Sequence, residues 1–359
     1  MREQTALSVT PRELNPMVAS AATLAAGLIR SISIKHYAPV DRQQEFDLLA
    51  SKPELHLSRS RIYREKGAGG YPTIVLGGFV PDATEAVEFQ RGMLRRHGSI
   101  YYINYPRNGF CREMLAAQLG DLLHDLKRKG QKPMIMGISF GCGLLLDYLA
   151  AAPEAIHERV RGILLISPVI CTDDLIRPVH EKQGGIRFLE SNLKKLLAAN
   201  PERQEELEKH IERSRRCFQA LFNSGAENRS LGVRHLAIRS KIMDVINKTP
   251  CRGGFERMAA LRELSFPSLN NSIFAGPVLT LLAENELDIL VPTSPTMRLF
   301  HDQQSYARLF PRCLVRTVRS ADPLDGVAHA SMIFHHQAYN ELIDGWYSKL
   351  LYPRLQLAV

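Results

Sequence analysis

The run Gly137-Ile138-Ser139-Phe140-Gly141 is the part of the sequence best suited to chemistry. A serine hydroxyl is a poor nucleophile at neutral pH and needs a neighbouring base to take its proton. It must also stand clear of its own backbone. Glycines two residues to either side permit a sharp strand-to-helix turn, because a Cβ at either place would collide with the neighbouring strand and helix. Taken alone the pattern is weak, since an incidental serine in a glycine-rich turn reads the same way. The flanking elements decide its meaning.

Residues 133–136 (PMIM) read as a buried strand and 143–151 (GLLLDYLAA) as a helix, so Ser139 falls on a strand-turn-helix. Upstream, 73–76 (TIVL) is a buried strand stopped by Gly77-Gly78, and 99–104 (SIYYIN) is another, with a helical pattern over 83–97 between them. The alternation in 54–63 (ELHLSRSRIY) predicts an antiparallel or edge strand. Over 113–129, Met114, Leu115, Leu119, Leu122, Leu123 and Leu126 form one helical stripe, and a basic last turn precedes Gly130.

Downstream, 161–167 (RGILLIS) is the next strand. From 171 to 273 the patterns are helical, with no buried strand. Within this stretch Asn200-Pro201 is a helix start signal. Leu207, Ile211, Phe218, Leu221 and Phe222 mark one face, while Glu205/Lys209 and Glu212/Arg216 are spaced for pairing on the other. Strand patterns resume at 277–282 (PVLTLL) and 312–318 (RCLVRTV), and 340–351 closes the chain as an amphipathic helix. Strands alternating with helices predict a parallel sheet with crossover connections.

With this context the chain resembles the α/β-hydrolase superfamily over about 54–167 and from 276 to the C-terminus. The resemblance implies an α/β fold, a mostly parallel central sheet flanked by helices, with an inserted helical cap at 171–275. The expected organisation is a helical extension (1–50), a core made from 51–170 and 276–359, and the cap between its halves.

The resemblance also assigns site residues. The family acid follows the seventh strand, where Asp288-Ile289-Leu290-Val291-Pro292 matches the usual D-x-x-V-P ending; Glu284 and Glu286 are competitors nearer the strand end. The family histidine lies after the eighth strand and falls on His329, with His335 and His336 as alternatives. Ser139, Asp288 and His329 then follow in the chain order of this fold. The expected oxyanion donors are the backbone N–H groups of Phe140 and Phe79, with Gly78 and Val80 lining the substrate pocket. Two places depart from the family: Gly77 stands where many members have histidine, and 104–110 (NYPRNGF) replaces the common aspartate and glycine-rich turn.

A serine esterase, lipase or thioesterase working through an acyl-enzyme is the activity this implies. Apolar faces on the inserted helices suit a hydrophobic acyl group. Acyl transfer on the same residues is a second expectation, and a non-catalytic binding protein on the same fold a third. A haloalkane dehalogenase or epoxide hydrolase is disfavoured, because those relatives carry aspartate where this chain has Ser139. No metal or organic cofactor is expected.

Composition bounds the partners. The chain has 359 residues, 45% hydrophobic and 23% charged, enough for one large core plus an insertion. The net charge of +9 would suit an anionic leaving group such as a coenzyme A thiol. The basic residues are scattered, and the densest runs (127–129 and 213–216) sit on helical patterns, so nucleic acid is not an expected partner. Six cysteines without a CxxC pair argue against zinc and a disulfide framework, and point to reduced thiols in the cytoplasm. The apolar run 17–29 (MVASAATLAAGLI) is too short to span a bilayer. It reads as a helix packed on the core, with peripheral membrane contact as the alternative.

Overall fold

The computed structural model describes residues 32–177, 188–200, 202–226, 231–322 and 324–352. The 17–29 segment and Pro201 lie outside them.

Eight strands form one sheet: β1 (Ile34–His36), β2 (Arg61–Glu65), β3 (Thr73–Leu76), β4 (Ile100–Asn104), β5 (Met134–Ile138), β6 (Gly162–Ile166), β7 (Pro277–Ala283) and β8 (Arg312–Val318). Their order is β1-β2-β4-β3-β5-β6-β7-β8. β1 and β2 pair antiparallel, as do β2 and β4, and every later pairing is parallel. The strand order reverses around β3, with β4 on one side and β5 on the other. In open α/β sheets such a reversal opens a crevice at the carboxyl ends of the strands, where ligands bind.

The central strands β3 to β7 are near-continuous apolar runs because helices cover both faces, whereas the edge strands β1, β2 and β8 carry exposed polar residues. Alternate residues divide between two cores. Ile74, Tyr101, Ile135 and Ile163 face the helix Arg112–Arg128, whose Leu115, Leu119, Leu122, Leu123 and Leu126 are buried there. Each such leucine contributes about 2 kcal/mol of transfer free energy. Val75, Tyr102, Met136 and Leu164 face the opposite layer, where the final helix His336–Leu351 buries Tyr339, Ile343, Tyr347 and Leu351.

Three elements differ from expectation. The stretch 1–50, expected as a helical extension, contributes strand β1, which pairs with β2 at the edge of the core sheet. In 54–63 only the last residues enter the sheet, as β2; Pro53–Ser58 is a 3-10 helix with proline in its first turn, where its missing N–H costs nothing. The 83–97 pattern splits into Ala83–Ala86 and Arg91–His97.

Between β6 and β7 the described residues hold four helices of eleven residues or more: Phe188–Ala198, Gln204–Ala226, Val233–Lys248 and Cys251–Glu263. Leu207 and Ile211 join the main core, Phe218 and Phe222 pack on Ile242 and Ile246, and Glu212 pairs with Arg216 at 3.3 Å. Asn200 Oδ1 accepts the Glu202 N–H, but in a local turn rather than as a helix cap, since the helix begins only at Gln204. Asp174, fully buried after β6, anchors the start of this insertion to the chain after β7. Its carboxylate accepts from Ile170 N, Ser294 Oγ, Thr296 N and Thr296 Oγ1. No helix among the described residues is long and apolar enough to cross a membrane.

Candidate active site

β5 delivers Ser139 to the carboxyl edge of the sheet, and the helix Phe140–Ala151 starts at once. Ser139 has φ +51°, a strained conformation for a side-chain-bearing residue. Gly141 makes the turn possible by close approach: a Cβ there would lie 2.5 Å from the carbonyl oxygens of Leu76 and Gly77. At Gly137 a Cβ would lie 2.9 Å from Cys142 Cα. The Cys142 thiol beside the turn is fully buried, which pushes its pKa up and keeps it neutral.

His329 Nε2 lies 2.9 Å from Ser139 Oγ, and His329 Nδ1 lies 2.5 Å from Glu286 Oε2. An ionised carboxylate only accepts, so the proton sits on Nδ1 and leaves Nε2 free to accept the serine hydroxyl. Glu286 is 1% exposed, and its other oxygen accepts the Ala283 N–H at 2.6 Å. Both bonds hold the carboxylate in one orientation.

Asp288, the expected acid, is not at the site. It is exposed, at the far end of the 3-10 turn Glu286–Asp288. Such a turn advances about 120° per residue, so positions 286 and 288 cannot face the same way. A parallel bridge between Asn285 and Ala328 places the acid loop beside the histidine loop, and the next residue on each side is Glu286 and His329. Glu284 is exposed. Of the other histidines, His335 bonds Ser331 Oγ at 2.9 Å and the Asp325 carbonyl at 3.2 Å, and His336 stacks on Phe89.

How the histidine loop is held leaves no mark in the sequence pattern. Ser167, buried just after β6, accepts the Ala330 N–H on its Oγ at 2.9 Å. Ser167 (φ +44°) and Ala330 (φ +51°) join Ser139 as the non-glycine residues of positive φ among those described. All three meet at this site, where strain of this kind concentrates.

The expected oxyanion loop passes directly over the serine. A Cβ on Gly78 would lie 3.5 Å from Ser139 Cβ. Phe140 opens its helix, so its N–H is one of the donors that the helix itself leaves unsatisfied. The Phe79 and Phe140 rings stack, with centroids 4.2 Å apart and planes 8° apart.

Ser139 and His329 open into an apolar cavity of about 190 Å³, lined by Gly78, Phe79 and Val80 from the core and by Leu193, Phe218, Phe222, Ile242 and Ile246 from the inserted helices. No cluster of three or more metal-ligating side chains occurs among the described residues.

The sequence matches no family model and no curated protein. Solved structures do match. A thermophilic esterase from Thermogutta terrifontis is 16% identical, with a TM-score of 0.53, over 81% of this chain and 94% of its own. An esterase from Exiguobacterium antarcticum is 12% identical, with a TM-score of 0.55, over 80% and 95%. The epoxide hydrolase CorEH is 11% identical, with a TM-score of 0.55, over 88% and 99%. The chain has the α/β-hydrolase fold.

Proposed function

We propose that this chain is a serine hydrolase that cleaves a carboxylic ester or thioester with an apolar acyl group, through an acyl-enzyme on Ser139. The observation that carries the reading is the hydrogen-bonded row Ser139–His329–Glu286 at the mouth of an apolar cavity.

Ser139 Oγ attacks the acyl carbon while its proton passes to His329 Nε2. The imidazolium is stabilised by Glu286, which also fixes the tautomer that left Nε2 free. The carbonyl oxygen takes up the negative charge beneath the N–H groups of Phe79 and Phe140. Collapse breaks the bond to the leaving group, which departs with the proton from Nε2. Water then attacks the acyl-enzyme, giving its proton to Nε2. Release of the acid returns that proton to Oγ.

The cavity bounds the acyl group. Ser139, His329 and Ser331 are its polar lining side chains among the described residues, so a charged acyl chain would lose solvation without gaining a counter-ion. An apolar cavity of about 150 Å³ admits one benzene ring. A volume of about 190 Å³ suits an acyl chain of roughly six to eight carbons.

Hydrolysis of a chain-length series of aryl esters and acyl thioesters, with Ser139→Ala as control, tests the reading. A maximum at medium length that disappears in the variant supports it. A flat profile that survives the variant refutes it.

A further inference from the structure

The oxyanion loop begins Gly77-Gly78, two residues that supply no side chain to hold it and that tolerate many backbone conformations. Its fixation comes from elsewhere. Tyr105, buried in the loop after β4, donates its hydroxyl to the Gly77 carbonyl at 2.8 Å. Arg257, on the inserted helix Cys251–Glu263, donates Nη1 to the Phe79 carbonyl at 2.9 Å and Nη2 to the Pro106 carbonyl at 2.8 Å. The Arg257 guanidinium lies over the Tyr105 ring, 5.6 Å from its centroid. The peptide that carries the Phe79 N–H lies between the two held carbonyls.

Arg257 is 4% exposed, an unusual place for a guanidinium. Burial lowers its pKa to about 10, with Asp82 opposing and Arg107 adding to the effect, so it stays charged at neutral pH. A charge is expensive to bury, and hydrogen bonds to it are stronger than neutral ones. Spending it on two backbone carbonyls makes sense where a loop must not move.

We propose that Tyr105 and Arg257 are positioning residues for the oxyanion hole, holding the Gly77 and Phe79 carbonyls so that the Phe79 N–H stays aimed at the reacting oxygen. Because Arg257 belongs to the insertion, the hole is assembled only when that helix is seated. The activity part of this inference rests on the serine hydrolase reading; the structural part does not.

The test combines two readouts on Tyr105→Phe, Arg257→Lys and Arg257→Met. Hydrogen–deuterium exchange of a peptide covering 77–80 reports the loop directly, whether or not the protein is an enzyme. Steady-state kinetics on a medium-chain aryl ester report the consequence. The inference predicts faster exchange at 77–80 in all three variants. It predicts kcat lower by about tenfold in Tyr105→Phe and by up to about a hundredfold in Arg257→Met, with KM little changed and Lys intermediate. Should Arg257→Met fail to fold, Tyr105→Phe and Arg257→Lys decide. Unchanged exchange at 77–80 in folded variants overturns the positioning role, even if activity falls. Absence of Ser139-dependent turnover in the wild type refutes the hydrolase reading instead, and exchange still decides the loop.

Discussion

Glu286 and Asp288 stand two residues apart on one turn, yet only Glu286 reaches His329, with Oε2 2.5 Å from Nδ1. The carboxylate two residues nearer the strand is the buried one. Its partner on the other loop is fixed by the backbone bridge between Asn285 and Ala328.

Exchanging the two carboxylates for amides separates their roles. Glu286→Gln keeps the shape but lets the amide donate toward Nδ1, favouring the wrong histidine tautomer, so kcat should fall by roughly three to four orders of magnitude. Asp288→Asn, on the exposed side of the turn, should stay within about twofold of wild type. Parallel kinetics on the two purified variants check this, and the reverse order would restore Asp288 as the acid.

Ser167→Ala removes the hydroxyl that accepts the Ala330 N–H next to His329. The part-buried N–H loses its side-chain partner, and a bond of this kind is worth about 1 kcal/mol. We expect kcat to drop about tenfold while KM moves little, because the imidazole loses its fixed position and the cavity does not change. Equal kcat in a folded variant would count against the bond.

Acyl-chain selectivity should depend on Phe218. A second cavity of about 60 Å³ shares Phe79, Val80, Phe218 and Ile246 with the main one. Phe218→Ala should join the two and move the preferred acyl chain longer by roughly two to four carbons, the space that a removed ring vacates. An unshifted optimum in the ester series would show that the partition does not set the length.

The attachment of the insertion should be acid-sensitive at Glu190. Burial alone would raise this carboxyl, but bonds from the Arg177 guanidinium and N–H, with Lys194 adding, hold it down at about 2. A carboxyl depressed in the folded state stabilises it above its unfolded pKa, about 4.5, and loses that contribution as pH falls toward 2. Glu190→Gln should therefore cost on the order of 1 kcal/mol at neutral pH after solvent screening. The gap to wild type should close between about pH 4.5 and pH 2. Urea titrations at several pH values measure it; a gap independent of pH would contradict the assignment.

Ser139 was legible because the apolar run of β5 and the helical pattern after it frame its turn, and His329 because it falls in the loop between β8 and the last helix. The strand β7 was visible as an apolar run and β8 as a β-branched, mixed one at the sheet edge, and the helical insertion by its helical periodicity. Which carboxylate meets His329 was not legible at residue level. Three carboxylates occur within five positions, and the choice among them is made by a 3-10 turn and a bridge to another loop. Neither leaves a mark in the local pattern. Glu54–Tyr63 misled because its alternation is shared by a strand and by a proline-started 3-10 segment. Arg257 and Ser167 were invisible for a further reason: their partners lie 151 and 163 residues away in sequence.

The most direct test of the account is labelling of the folded protein by a fluorophosphonate, with the modified residue identified by peptide mass spectrometry. One adduct per chain is expected, on Ser139, abolished in Ser139→Ala and strongly slowed in His329→Ala. A folded wild-type protein that remains unlabelled at every pH at which it stays folded, or that is labelled equally well without Ser139, would contradict it.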